Sequence, residues 1–495
     1  MINTIAVIGT GTMGRGIAQT LAVAGFDVLV FDQNPQAARD AVEFAGKMLN
    51  RTVEKGRMDK ADAQAAKDRL VVADTLADLA PAGMAIEAIA EQLDAKQALF
   101  AELEHILAQD AVLATNTSSL SVTAIAAGVD APGRVVGLHF FNPVPLMKVV
   151  EVIPGLRTDD AARNAGLAVA QQIGYRAILC KDTPGFLINH AGRGLLTEGI
   201  RIVQECLATE ADVDRVMRDA AGFRMGPFEL LDLTGLDVSY PVLQLIYGQF
   251  HQEPRYRPGV NLAVRVAAGL HGRKMSEGFY RYDAGRRVDP EEVLPPDGVL
   301  PKIHVPPAAR EDLAPLMDVL AATGVEMVEM PGNALCLVAP YGWDATETAQ
   351  TMGLDPTSVM AIDPLTVDRS RVTIMPTPAT SPDLCDGLHR ALLAAEKQVT
   401  CIADSPGFIA QRMLAMIVNI GCEIAQMQIA SPADIDDGVR LGLGYPQGPL
   451  ALGDTLGPQR VLSILKALQE QTGDPRYRPS QYLRQRAQLG LRLAV

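Results

Sequence analysis

Two groups of residues in this chain have the types and spacing for chemistry. The first is Gly9-Thr10-Gly11-Thr12-Met13-Gly14, which follows the apolar run Thr4–Ile8 and opens an amphipathic segment. In a strand–turn–helix of this kind the first glycine permits the tight turn and the second lets the backbone approach a pyrophosphate. The third allows close helix–strand packing. Diphosphate would sit on the amides at the helix N-terminus. Asp32 ends the next apolar run, 18 residues past Gly14, where a carboxylate can accept from ribose hydroxyls. A 2′-phosphate beside it would be repelled by about 1 kcal/mol in water and about 4 kcal/mol at an effective dielectric near 20. Gln33-Asn34 offers no arginine to offset that. The expected cofactor is NAD; the competing reading is a glycine turn needed only for packing.

The second group is Ser118, in Asn116-Thr117-Ser118-Ser119, with His139 and Glu151. Ser118 and His139 each follow or close an apolar run, at strand C-termini where open α/β sheets bind ligands. Glu151 lies inside the apolar run Val149–Ile153, and a charge there is costly unless paired. His139 is the nearest plausible partner. A carboxylate on one imidazole nitrogen fixes the tautomer and makes the other nitrogen a better base. Alcohol oxidation requires that: hydride leaves carbon for nicotinamide while a base takes the hydroxyl proton, an assistance worth ~10²–10⁴ in rate. The competing reading is a packed structural histidine. His105, His190, His251, His271, His304 and His389 have no comparable surroundings.

The elements that must position these groups are legible as alternating runs. Thr4–Ile8, Val28–Phe31, Met84–Ala90, Ala111–Thr115, Arg134–His139 and Val149–Ile153 are apolar enough for buried strands, with helical segments such as Gly14–Ala24 and Ala37–Lys55 between the earlier ones. That alternation predicts a doubly wound parallel sheet. From Phe186 to about Tyr280 helical periodicity takes over. Residues 283–310 carry six prolines and no sustained period, which reads as an extended linker. The helical part then repeats: Asp182-Thr-Pro-Gly-Phe186 returns as Asp404-Ser-Pro-Gly-Phe408, 222 residues on. Asp212-Val-Asp214 returns as Asp434-Ile-Asp436 and Gly226-Pro227 as Gly448-Pro449 at the same offset. Pro254-Arg-Tyr-Arg-Pro258 returns as Pro475-Arg-Tyr-Arg-Pro479, one residue short of it.

The expected fold class is therefore α/β plus all-α. The expected units are a Rossmann-type NAD-binding domain (1–184), a helical domain (185–282), a Pro-rich linker (283–310), a reduced Rossmann-like domain without a glycine fingerprint (311–403) and a second helical copy (404–495).

The motifs GTGTMG, NTSSL, HFFNPVPLMKVVEV, DTPGFLINH, RMGPFELLDLTGLDV and GRKMSEGFYRY, in this order across residues 1 to about 282, resemble those of the L-3-hydroxyacyl-CoA dehydrogenases. The remainder resembles the long bacterial form associated with phenylacetate degradation, which implies 3-hydroxyadipyl-CoA as substrate. The resemblance implies His139 as general base, Glu151 as its partner, and Ser118 and Asn189 near the substrate oxygen, where donors stabilise growing charge. It implies Glu91, Lys96 and Asn116 close to the cofactor. From residue type alone Asn189 is a polar helix-face residue. Lys47, Arg51 and Lys55 fall at i, i+4 and i+8; the resemblance makes them a landing site for CoA phosphates, while Glu43 and Glu54 on the same helix favour a solvated face. The second copy has Gln411 where Asn189 would recur and no HFFNP-like motif ahead of Asp404, so it reads as catalytically empty. Short family members pair through their helical domains, so the second copy is expected to pack on the first in the same way.

Composition excludes several classes. With 44 basic and 58 acidic residues the net charge is −14, a field that repels nucleic acid and anionic membranes. The six cysteines are scattered without a C-x-x-C pair, as in a reducing compartment. No Cys/His cluster has metal-ligand spacing, and no metal is expected. A cytoplasmic enzyme is the expectation, with homo-oligomerisation left open. The rivals are a 3-hydroxybutyryl-CoA or general β-oxidation dehydrogenase, an enzyme of small β-hydroxy acids without CoA, and a non-catalytic NAD-binding protein.

Overall fold

Short runs of Ile, Val, Ala and Leu, apolar on both faces, become the strands of an eight-stranded sheet in the computed structural model, which describes residues 2–495. These are β1 Thr4–Ile8, β2 Asp27–Phe31, β3 Leu70–Val72, β4 Met84–Glu87, β5 Val112–Thr115, β6 Val135–Phe140, β7 Val149–Pro154 and β8 Arg176–Leu179. The order is β3-β2-β1-β4-β5-β6-β7-β8. The first six strands are parallel in the order of a doubly wound dinucleotide-binding sheet. β7 runs antiparallel to β6, and β8 parallel to β7. Helices Thr12–Val23 and Pro35–Glu54 follow β1 and β2. Ile5, Val7, Ile17, Leu21, Ile86, Leu138 and Val152 close the core between sheet and helices. The edge strands β3 and β8 escape a search for apolar runs because each shows a face to solvent.

The chain divides into two compact units. One holds the residues up to His190 together with Met427–Leu443; the other holds Ala191–Gln426 with Gly444–Val495. A helix of the second copy, Pro432–Leu443, thus belongs to the first unit, where it packs on β7 and β8. The backbone N–H of Lys181 donates to Ile429 O at 2.9 Å in this unit, and that of Ala403 to Leu207 O at 3.0 Å in the other. These two bonds are the same bond with the copies exchanged.

In the second unit the helices of the first copy are followed by a hairpin, β9 Arg281–Asp283 and β10 Arg286–Val288. Ala284 and Gly285, with φ of 47° and 76°, make its left-handed two-residue turn. The hairpin thus takes up the first residues of the segment read as an extended linker (283–310), because a two-residue turn leaves no periodic signal. Its sheet comprises β11 Ile303–His304, β12 Met327–Val328, β13 Leu335–Val338, β14 Val359–Ile362, β15 Arg371–Pro376 and β16 Gln398–Cys401. The order is β12-β11-β13-β14-β15-β16, with β14 and β15 the antiparallel pair. β11 and β13 to β16 reproduce the β4–β8 part of the first sheet, β15 lying 222 residues past β7, and β12 adds one parallel strand beside β11. The glycine fingerprint of the first sheet does not recur.

The repeated motifs have repeated structural tasks. Asp182 accepts from Val122 N and Thr123 N, at the start of helix Val122–Ala126. Asp404 accepts from Ala345 N and Thr346 N, at the start of helix Ala345–Thr351. Each aspartate caps a helix of its own α/β layer. In the second unit, helices Arg193–Gln204 and Ile409–Gln426 pack on each other, with Gly194 against the backbone of Ile417. Each Pro-Arg-Tyr-Arg-Pro motif forms a 3₁₀ turn whose first arginine and tyrosine are buried. Helix Glu210–Asp219 of the first copy reaches the second sheet, where Asp219 meets Arg371 at 2.9 Å.

Candidate active site

The antiparallel joint between β6 and β7 makes His139 and Glu151 direct cross-strand partners. His139 Nδ1 lies 2.6 Å from Glu151 Oε2, and Glu151 is wholly buried. The other carboxylate oxygen, Oε1, accepts from the backbone N–H groups of Leu187 at 2.9 Å and Ile188 at 2.8 Å. The buried Cys180 thiol points at the same oxygen from 4.0 Å, and burial with Glu151 nearby pushes that thiol well above its ordinary range. A carboxylate so bound has spent its lone pairs on orientation. It fixes the imidazole with Nδ1–H donating and leaves Nε2 to take a proton. Phe141 and Phe186 flank the ring, with centroids at 4.3 and 5.8 Å.

Ser118 and Asn189 meet at a backbone atom: Asn189 Nδ2 donates to Ser118 O at 3.3 Å. Both side chains are partly exposed, unlike the sealed Glu151. Glu91 organises the serine loop. Its Oε1 accepts from Thr117 Oγ1 at 2.7 Å, Ser118 N at 2.9 Å and Ser119 Oγ at 2.8 Å. Burial works against its charge, but Lys96 and these donors together hold its carboxyl below the usual range. Lys96 is itself buried, its ammonium 2.8 Å from Glu87 Oε2 and 3.3 Å from Glu91 Oε2. In this arrangement Lys96 reaches the site through Glu91. Asn116 Oδ1 accepts from Phe140 N at 2.9 Å, tying the end of β5 to that of β6.

The glycine loop fits a dinucleotide. Gly9 has φ +90°, and a Cβ there would lie 2.7 Å from Ala88 O. A Cβ at Gly14 would lie 1.8 Å from Gly9 O. At Gly11 a Cβ would meet nothing within 4 Å. Two glycines are thus demanded by the protein itself, while the third faces open space where a pyrophosphate would approach. Gly11 caps helix Thr12–Val23 without a side-chain hydrogen bond, and first-turn amides such as those of Thr12 and Met13 have no partner within a helix. Asp32 accepts from Thr10 N at 2.8 Å, Thr10 Oγ1 at 2.7 Å and Asn34 N at 3.0 Å. Partial burial opposes its charge, but those donors hold the carboxyl below its ordinary value. Asp32 is thereby tied to the glycine loop just past the end of β2.

Lys47, Arg51 and Lys55 lie on the exposed side of helix Pro35–Glu54 and its C-cap, and Lys47 pairs with Glu43 at 2.6 Å. The structure does not bring them to His139. Sequence reasoning missed the Leu187 and Ile188 amides, which carry no side-chain signal. It also missed Glu87, whose place in an apolar strand nine residues before Lys96 was a usable clue. Among the described residues no group of three or more His, Cys, Asp or Glu is arranged to hold a metal ion. No helix among them is long and apolar enough to cross a membrane.

Comparison with known proteins gives the same architecture. The family described as 3-hydroxyacyl-CoA dehydrogenase, NAD binding domain, matches residues 4–183. The description 3-hydroxyacyl-CoA dehydrogenase, C-terminal domain, matches residues 185–282 and again 407–492. The chain is 36% identical to the 3-hydroxyadipyl-CoA dehydrogenase of Escherichia coli K12, over 99% of this chain and 98% of that one. It is 35% identical to human mitochondrial hydroxyacyl-coenzyme A dehydrogenase, over 57% of this chain and 92% of that one. Among solved structures, a 3-hydroxybutyryl-CoA dehydrogenase from Escherichia coli K12 superposes with a TM-score of 0.87 at 35% identity, covering 99% of both chains.

Proposed function

The chain belongs to the 3-hydroxyacyl-CoA dehydrogenase family, and from that premise we propose that His139, Glu151, Ser118 and Asn189 oxidise the (S)-3-hydroxyl of an acyl-CoA to the 3-ketone with NAD as acceptor. NAD, which the backbone at Gly11, Thr12 and Met13 and the Asp32 carboxylate would hold, would supply the hydride acceptor for carbon 3. His139 Nε2 takes the hydroxyl proton as the C–O bond becomes C=O, and Glu151 steadies the imidazolium through Nδ1. Ser118 and Asn189 orient the reacting oxygen. The backbone at Gly11, Thr12 and Met13 holds the diphosphate, Asp32 the ribose, and Glu91, Lys96 and Asn116 shape the loops around the nicotinamide end. Lys47, Arg51 and Lys55 supply local positive charge for the CoA phosphates in an otherwise acidic protein. The observation that carries this reading is the 2.6 Å contact between His139 and a buried, fully bonded Glu151, in the same unit as the glycine loop.

For the acyl chain the reading is 3-hydroxyadipyl-CoA, supported by full-length likeness to the relative of that name. The second reading, 3-hydroxybutyryl-CoA, is favoured by the name of the superposed structure. The domain division at 184, 282, 310 and 403 is part of the same proposal. A screen of NADH release over 3-hydroxybutyryl-, 3-hydroxyhexanoyl- and 3-hydroxyadipyl-CoA, with the free acids alongside, decides among them. Highest kcat/KM on the adipyl thioester supports the first reading, and turnover of free acids at the same rate would remove CoA from it.

A further inference from the structure

Glu151 owes its orientation to two backbone amides, so whatever fixes Leu187 and Ile188 also fixes His139. The segment leading to them does not sit there by its own preference. Gly185 has φ +73° and Phe186 φ +50°, a left-handed conformation unfavourable for a bulky residue unless its surroundings enforce it. The two residues that follow, Leu187 and Ile188, pack against the second helical copy. Gly438 and Gly442 present their bare backbones to these residues: a Cβ on Gly438 would lie 2.9 Å from Leu187 Cδ2, and one on Gly442 2.7 Å from Ile188 Cδ1. Four residues apart, they share one face of helix Pro432–Leu443. That helix is held to the first unit at both edges of the contact. Arg176 pairs with Asp434 at 2.6 Å and Asp437 at 3.1 Å. Lys181 donates its N–H to Ile429 O at 2.9 Å and its ammonium to Met427 O at 3.0 Å.

We propose that helix Pro432–Leu443 is a positioning element for the His139–Glu151 pair, with Gly438 and Gly442 setting the depth at which Leu187 and Ile188 offer their amides to Glu151. The second copy, which carries no base of its own, is thereby required for the chemistry of the first. The inference rests on His139 and Glu151 acting as proposed above, and it adds residues some 290 positions away in sequence.

The test uses full-length Gly442→Val and Gly438→Val. Each should lower kcat at least about tenfold, a part of the 10²–10⁴ that a positioned base supplies, with KM for NAD and acyl-CoA within about twofold. The Leu187 and Ile188 amides should exchange faster with deuterium. Arg176→Glu, which sets three carboxylates together at the surface, should lower kcat in the same sense without touching the packed face. Adding Asp434→Arg and Asp437→Arg should restore it, and this charge swap decides the matter if the glycine variants do not fold. Unchanged kcat in folded Gly442→Val, or no rescue by the swap, overturns the proposal. Unaltered turnover in His139→Ala would instead overturn the reading beneath it.

Discussion

Glu198 of the first helical copy is wholly buried against Arg412 of the second, with 2.7 Å between Oε1 and Nε. Arg476 approaches the other oxygen at 3.3 Å, and the Tyr477 hydroxyl donates to the first at 2.9 Å. Burial penalises the charge, yet two guanidiniums and the phenol hold the Glu198 carboxyl below its ordinary value. Glu198→Ala leaves Arg412 and Arg476 desolvated without this partner. Such a break of a buried pair costs about 3–5 kcal/mol, and urea unfolding at neutral pH should show the loss. A variant as stable as the parent would mean the arginines find water or other acids.

Asp363 gives a pH signature in the second unit. Its carboxyl accepts from Gln411 Nε2 at 3.0 Å and Leu365 N at 3.1 Å, but burial dominates and raises it to about 6. The folded state then binds a proton that the unfolded state releases near pH 4, so stability falls as pH rises from about 4 to about 6. One such group accounts for about 3 kcal/mol across that window. Asp363→Asn should flatten the dependence of unfolding free energy between these pH values. Parallel slopes in parent and variant would show that Asp363 titrates alike in both states.

Asp32 should decide between dinucleotides. Removing its charge in Asp32→Ala takes away both the ribose acceptor and a repulsion of about 1–4 kcal/mol toward a 2′-phosphate. The ratio of kcat/KM for NAD over NADP should fall at least about tenfold, a loss of about 1.4 kcal/mol in discrimination. Steady-state kinetics with both cofactors check this; an unchanged ratio would place the ribose elsewhere.

Glu151→Gln keeps the shape of the side chain and removes its charge. With the imidazolium no longer stabilised, kcat should drop by about 10²–10⁴-fold, as for loss of base assistance, while NAD affinity measured by fluorescence titration stays the same. Retained turnover would make the His139 contact structural only.

Much of this molecule is written in its sequence. The glycine spacing, the apolar runs of the central strands and the in-register repeats depend on local chemistry: turns that need positive φ, strands buried on both faces, motifs reused for one task. Those signals foretold the doubly wound sheet and the helical parts, and they singled out His139, Glu151 and Asp32 as candidates. Tertiary structure alone decided what completes the site. That Glu151 is held by the amides of Leu187 and Ile188, and that Gly438 and Gly442 pack behind them, depends on backbone atoms and glycines with no side-chain signature. The edge strands and the Ala284–Gly285 hairpin were missed for a related reason: what makes them is pairing with a neighbouring strand, and three- or four-residue strands with a face in solvent leave no apolar run in the chain.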